Sequence, residues 1–502
     1  MKGEHRYKIQ ANKFLILIFV LLSIFVKFYQ IGYRSFSLDE LYGVVAGLEP
    51  NFNIFLENWV LYDSNPPLYY FFLRFWLSIV PATEFWVRLP SVIFVLLASF
   101  FFVNGIKKRF ENTEWFYLLV FMGSSFSFLF FAQEARAYGL LFLFTCLQLL
   151  SFIDLLSIQQ PKDFFKKLFL FVAYSILSSY THYTGIVFSV ILFFILIFIY
   201  HKKNVILKQI LLSILVCFIA GLPWLKYFLF ILKLDKSFII NQDVSIIKAI
   251  ISMLFFGNTL IGKYFSVLFL IYIFFLSIYL VKNLKEIKQK HRIVLLIGFF
   301  SLTIVLISPI IKFFFQYRHY MVLMPIILLS ISILFSFYDL KKNINNLFLS
   351  IGVIIVFSQG FTHYKSKREE WKQSVKYIVD SNKNKNTKVI VLGEPWEKTH
   401  KDYLRINPGY LNLSIRRKSF YSYYFDRFDK QHKLEIVVLR PNKNEIESFI
   451  NEELKIKNQI FILSHAGEFK NKIKKLQLKG DVMTLEKDFY IHEVYHCVKN
   501  PN

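Results

Sequence analysis

Pro66–Val80 reads PPLYYFFLRFWLSIV, and whether this run crosses a membrane decides how the whole chain is threaded. It opens on two prolines and carries Arg74. At about 15 residues it is shorter than the roughly 20 needed to cross about 30 Å of hydrocarbon, so a run of this kind is more often interfacial or buried. Positive charge provides a test, because cytoplasmic loops are enriched in Lys and Arg. If the run does not span, the cytoplasmic side holds the N-terminus, Lys107–Arg109, Lys162–Lys167, Lys202–Lys208, Lys282–Arg292, and Lys341 with Lys342. That side then has roughly 20 Lys and Arg in about 55 residues, against roughly 10 in about 105 residues outside. If the run spans, every later loop changes side and the bias inverts. The charge pattern predicts a non-spanning segment.

Around it lie apolar blocks such as Phe14–Ile31, Val92–Ile106, Thr184–Tyr200, Phe265–Leu280 and Ile293–Ile311. The 502-residue chain is 55% apolar and 19% aromatic, with a mean hydropathy of +0.45. The blocks predict an all-α polytopic membrane bundle of about 11 spans in an inner or plasma membrane. Its N-terminus is cytoplasmic in this reading, and the final span near Leu347–Gly360 delivers the C-terminus outside. The first external loop, about 32–88, is long enough for two or three surface helices. A second external segment lies at about Phe230–Lys263. The formal charge of +26 suits a polyanionic partner. Because the basic residues lie mainly beside spans and in a basic tail, membrane lipids or a phosphate-bearing lipid substrate explain them better than nucleic acid. Cys146 and Cys217 fall inside predicted spans and Cys497 lies far away, a pattern that argues against a disulfide framework.

Residues 1–361 thus form the membrane domain, and residues 362–502 shift to a soluble composition. Arg368–Val379 reads as a helix and Val389–Leu392, Glu435–Leu439 and Ile460–Leu463 read as strands. Helical patterns at Asn444–Glu453 and Glu468–Leu476 alternate with them, which predicts a small extracytoplasmic α/β domain. No Gly-rich phosphate loop accompanies the strands, so no nucleotide is expected. About 28 basic and 18 acidic residues there favour an anionic neighbour.

Ionisable residues at a membrane edge are costly and are default functional candidates. Four groups fall on the predicted external edge. In Ser37-Leu38-Asp39-Glu40-Leu41-Tyr42, Ser37 and Glu40 have the spacing of a helix capping box, while Asp39 has the chemistry of a general base. In Tyr62-Asp63-Ser64-Asn65-Pro66-Pro67, the prolines suit a helix start, and Asp63 and Asn65 are candidates for substrate binding. Glu134 and Arg136 in Gln133-Glu134-Ala135-Arg136-Ala137-Tyr138 either pair with each other at headgroup level or serve a metal or acceptor and a phosphate respectively. The fourth group combines Tyr180-Thr181-His182-Tyr183 with Gln316-Tyr317-Arg318-His319-Tyr320. Tyr-rich turns are common at membrane interfaces, but Arg318 beside His319 has the forked donors that bind phosphate.

Taken in order, these motifs, with Glu84-Phe85-Trp86-Val87-Arg88-Leu89-Pro90-Ser91 and Pro325, resemble the GT-C glycosyltransferases of the protein mannosyltransferase and aminoarabinose transferase type. The likeness covers roughly Phe14–Gly360, and the ordered set is far more specific than any one motif. It implies transfer of a sugar from a polyprenyl-phosphate carrier to a glycan, lipid or protein acceptor at the outer face of the membrane, with inversion. By the same resemblance Asp39 is the base or acceptor-positioning group with Glu40 as its neighbour, and Arg318, His319 and Arg136 serve the donor phosphate. Asp63, Asn65, Glu134, Tyr138 and His182 serve acceptor or substrate. The family often has His before Pro-Pro, and Asn65 stands there in this chain. A divalent ion (Mg, Mn or Zn) held by Glu134 and Asp39 is compatible with the resemblance. Two other classes share parts of the pattern. A polysaccharide ligase or polymerase commonly has its long loop late in the membrane part. A lipid-linked sugar transporter or flippase usually carries charges deep within spans or in broken helices.

Overall fold

The computed structural model describes residues 11–61, 65–111, 113–158, 160–232, 287–307, 317–337, 341–365, 370–382, 387–392, 423–429, 434–439, 459–465, 482–488 and 492–498, with isolated positions between 257 and 282 and at 452. The expected span Phe265–Leu280, most of the segment Phe230–Lys263, the expected helices Asn444–Glu453 and Glu468–Leu476, and Asp63 lie outside the described residues. The helices are α1 (Lys13–Phe28), α2 (Leu38–Leu48), α3 (Phe52–Ile54), α4 (Leu68–Leu77), α5 (Glu84–Arg109), α6 (Glu114–Ser124), α7 (Phe126–Ala132), α8 (Tyr138–Leu155), α9 (Pro161–Thr181) and α10 (Tyr183–Tyr200). After these come α11 (Asn204–Leu232), α12 (Gln289–Ile307), α13 (Met324–Ser336), α14 (Lys342–Lys365) and α15 (Trp371–Ser381). Among the described residues six helical stretches are long and apolar enough to cross a membrane, or seven if α6 and α7 count as one bent span. The chain is a multi-pass membrane protein. Pro66–Val80 becomes the 10-residue α4, which reaches about 15 Å, half the hydrocarbon thickness.

Two compact units divide the chain. The first comprises Met1–Ile31, Asp63–Phe72 and Arg88–Lys365, and the second comprises Gly32–Tyr62, Leu73–Val87 and Ser366–Asn502.

The first unit is a helix bundle with polar side chains bonded between its helices. Where α6 bends into α7 by 56°, the break releases helix carbonyls that hydrocarbon cannot solvate. Gln359 on α14 donates to one of them, the Ser124 carbonyl, at 2.7 Å. The buried Gln148 amide joins three helices by donating to Ser175 (2.8 Å) and Ser189 (2.9 Å). The Arg109 fork closes on Asp154 at 2.6 and 2.7 Å, with Lys167 at 3.3 Å from the same carboxylate. Glu114, at the start of α6 and 0% exposed, lies 3.0 Å from His291 Nε2 on α12.

The second unit carries a five-stranded sheet: β1 (Thr387–Leu392), β2 (Leu434–Leu439), β3 (Gln459–His465), β4 (Val482–Asp488) and β5 (His492–Val498). The order is β2-β1-β3-β5-β4. The first three are mutually parallel, in register from Thr387 against Leu434 and Gln459, and β5 and β4 run antiparallel. The expected strands are present. The terminal pair was not foreseen, because VMTLEKD ends in three consecutive charged residues and HEVYHCV mixes His and Glu with its apolar residues, so neither forms a long apolar run. The result is a mixed sheet, with Val389–Val391 and Ile460–Leu463 at its buried centre.

Glu114 Oε2 and His291 Nδ1 have no hydrogen-bond partner among the described residues, so the bond between the two side chains carries the compensation. His291→Ala should therefore cost about 3–5 kcal/mol, the range for removing one partner of a buried pair. Adding Glu114→Gln should recover part of that loss. Melting temperatures of the purified protein in detergent measure both.

Candidate active site

The turn between α7 and α8 is fixed by one side chain. Gln133 Nε2 donates to three carbonyls at the end of α1, those of Val26 (3.2 Å), Lys27 (3.1 Å) and Tyr29 (2.9 Å). Its Oε1 lies 3.2 Å from His363 Nε2. Last-turn carbonyls of a helix lack intrahelical donors, so a single amide both satisfies α1 and anchors the next residues. Those residues are Glu134 and Arg136, both buried, with the Arg136 amide donating to the Glu134 carbonyl at 2.8 Å. Tyr138 then opens α8, its ring 4.8 Å from Phe131 and 5.7 Å from His182. The motif reading singled out this turn without finding Gln133's part in it.

His182 ends α9 and caps α10. Its Nδ1 accepts from the Thr184 amide at 3.2 Å and lies 2.8 Å from the Thr184 hydroxyl. With Nδ1 committed as acceptor, the neutral ring carries its proton on Nε2, an assignment that follows from the hydrogen-bond pattern. The helices meet closely at this point, since a Cβ on Gly185 would overlap the Ser178 carbonyl. The His182 ring lies 5.4 Å from that of His319, which the 3₁₀ turn Tyr317–Leu323 presents with Arg318. Burial, and then the charges of His319, Arg136 and Arg318, hold the His182 pKa well below its ordinary value. The first unit thus brings Arg136, Tyr138, His182, Arg318 and His319 into one cationic, partly buried cluster. Asn65, in the same unit, is also buried.

The same α9–α10 turn borders an apolar cavity of about 310 Å³ among α9, α10 and α11. Tyr180 and Tyr183, which flank Thr181-His182, line it together with Pro66, Phe193, Trp224 and Phe228. Tyr180 donates to the Ala220 carbonyl, and Trp224 Nε1 donates to the Tyr183 hydroxyl at 3.3 Å.

Asp39 and Glu40 belong to the second unit. Ser37 Oγ accepts from the Glu40 amide at 3.3 Å and Glu40 Oε2 accepts from the Ser37 amide at 2.9 Å. The capping box is formed, and the Glu40 side chain is fully buried in it. Asp39, one residue earlier in the first turn of α2, is half-buried. No group of three or more His, Cys, Asp or Glu able to hold a metal ion occurs among the described residues. Glu134 belongs to the first unit and Asp39 to the second.

With a multi-pass bundle and a five-stranded sheet described, comparison with solved structures supplies the fold. The crystal structure of ArnT from Cupriavidus metallidurans bound to undecaprenyl phosphate matches with a TM-score of 0.55 at 9% identity, covering 97% of this chain and 98% of that one. The chain has the GT-C fold that the ordered motifs led one to expect. Looser matches are ArnT from the same organism in the apo state (TM-score 0.43, 9% identity, 96% and 97% covered) and the Archaeoglobus fulgidus oligosaccharyltransferase in complex with Zn and sulfate (0.42, 9%, 90% and 68%). No family model and no curated protein matches the sequence.

The depressed pKa of His182 sets a sign. The unfolded chain takes up this proton near pH 6.5 but the fold does not, so the unfolded state binds more protons and stability falls as pH drops below that value. In His182→Asn the amide oxygen preserves the helix cap and the titration is gone. Its melting temperature should fall less steeply than wild type between about pH 6.5 and 5. Equal acid slopes would contradict the assignment.

Proposed function

We propose that this chain is a glycosyltransferase that moves a sugar from a polyprenyl-phosphate carrier to a glycan, lipid or protein acceptor at the extracytoplasmic face of the membrane. One observation carries the reading. A single turn joins a cluster of two arginines and two imidazoles (Arg136, Arg318, His182, His319) to an apolar cavity walled by Tyr180 and Tyr183. An amphiphile with an anionic head and a hydrocarbon chain has that shape and polarity. The GT-C fold supports it, as does the undecaprenyl phosphate bound to the ArnT structure that shares the fold.

In this reading the two arginines hold the donor's phosphate oxygens, and the uncharged His182 adds an Nε2–H donor without further charge. The acceptor's hydroxyl or amine attacks the anomeric carbon, and the bond from that carbon to the phosphate oxygen breaks. The electron pair leaves with the phosphate, where Arg136 and Arg318 stabilise the growing negative charge. Asp39 takes the acceptor's proton. Glu40 shapes the start of α2 through the cap instead of exchanging protons. Attack opposite the leaving phosphate gives inversion. No step is routed through a metal. The N-terminus and the basic loops face the cytoplasm, and residues 362–502 lie outside, following the distribution of Lys and Arg.

The test is sugar transfer from a panel of radiolabelled polyprenyl-phosphate sugars in native membranes. Asp39→Asn should lower kcat by roughly 10²–10⁴-fold, the usual contribution of a general base, with little change in the KM for donor. Arg318→Ala and Arg136→Ala should each weaken donor binding by about 1.5–3 kcal/mol, the value of a hydrogen bond to a charged group. Transfer that survives Asp39→Asn would move the base elsewhere. No transfer from any donor by wild type, with lipid translocation instead, would replace the enzyme by a flippase.

A further inference from the structure

Four segments far apart in sequence meet inside the second unit, immediately before α2. The Tyr424 hydroxyl accepts from the Phe36 amide at 2.8 Å and donates to Glu84 Oε1 at 3.2 Å. Arg427 donates to Glu84 Oε2 at 2.9 Å, and Lys372 Nζ lies 3.6 Å from Glu84 Oε1. The Lys372 amide donates to Ser35 Oγ at 3.0 Å, and Ser35 Oγ donates to Gln373 at 2.7 Å. Rings of Tyr423 and Tyr424 pack on Phe36 at 5.9 and 6.4 Å. Ser35, Phe36, Glu84 and Tyr424 are each at most 2% exposed.

A buried carboxylate is tolerable when charged and hydroxyl donors surround it. Glu84 has Arg427, Lys372 and Tyr424, all supplied by the C-terminal part of the chain. The same Tyr424 fixes the Phe36 amide, one residue before Ser37, whose cap sets the start of α2 and with it Asp39. The backbone entering the cap is thus held from the C-terminal side at consecutive residues, Ser35 and Phe36.

We propose that the C-terminal part of this chain is a clamp that positions Asp39, with Tyr424 and Arg427 as positioning residues acting through Phe36 and Glu84. The catalytic half of this inference rests on Asp39 acting as proposed for sugar transfer, while the clamp itself does not. It gives residues 366–502 a role in the chemical step in place of the acceptor steering or passive packing that their charge and aromatic content suggest. Tyr424 and Arg427 touch no reacting atom. They act by orientation, and a displacement of about 1 Å at a reacting group lowers rates by as much as roughly 10²-fold.

The experiment uses the full-length protein in detergent with Tyr424→Phe, Arg427→Gln and Arg427→Lys. Amide hydrogen exchange over residues 34–41 reads the clamp, and transfer kinetics read its consequence. Exchange at Phe36 should rise several-fold in Tyr424→Phe and Arg427→Gln. Both variants should lose about 10–100-fold in kcat with the KM for donor within about twofold of wild type, and Arg427→Lys should recover most of the rate. Exchange unchanged in both variants would overturn the clamp. Exchange that rises while kcat stays at the wild-type value would overturn the positioning role and leave a merely structural contact. If wild type transfers no sugar from any donor, the sugar-transfer reading and the catalytic half fall together, and hydrogen exchange alone still decides the clamp.

Discussion

A polar group removed from water needs a partner, and in a bundle that hydrocarbon surrounds water cannot supply one. The construction of this protein follows from that constraint. At several helix breaks and ends a side chain takes up what the backbone releases. Gln359 does this for the bend after Ser124, and Gln133 does it for three carbonyls ending α1. His182 does it for the first turn of α10. These bonds satisfy the backbone, and they also place the turns. Arg136 and His182 sit on two such turns, and the 3₁₀ turn Tyr317–Leu323 adds Arg318 and His319.

The same constraint separates charges that hold the fold from charges available for chemistry. Asp154 with Arg109 and Lys167, Glu114 with His291, and Glu84 with Arg427 and Lys372 are each closed on partners of opposite sign or on donors. The cluster around His182 gathers two guanidinium groups and two imidazoles. Arg136, Arg318 and His319 all act on His182 in the same direction. Two guanidinium groups acting together beside an apolar cavity are electrostatically suited to an anion.

How much of this was legible in the sequence depended on how local each signal was. The short Pro66–Val80 helix could be read from length and from Lys and Arg bias. The Ser37–Glu40 cap could be read because a three-residue spacing defines it. The parallel strands β1, β2 and β3 announced themselves as continuous apolar runs, as buried parallel strands do. Strands β4 and β5 did not, because the charged end of VMTLEKD and the polar start of HEVYHCV resemble a loop in composition. The cationic cluster was legible as a set of residue types but not as a site. That His182 commits Nδ1 to a cap, and so has a fixed tautomer, depends on the backbone geometry at Thr184.

Least legible were contacts between residues hundreds of positions apart. Phe36 and Tyr424 are separated by 388 residues, and Glu84 and Arg427 by 343. Glu84 opens α5, and Tyr424 stands in the aromatic run Tyr423-Tyr424-Phe425. Each has an ordinary local explanation, and their pairing has no local signature. Topology supplied what the pattern could not: Gly32–Tyr62, Leu73–Val87 and Ser366–Asn502 fold into one unit, so the segment bearing Asp39 shares a core with the end of the chain. A carboxylate meant to accept a proton gains from being held by a rigid support it does not itself provide. Coupling between the first loop and the C-terminal part supplies such a support through Phe36 and Ser35.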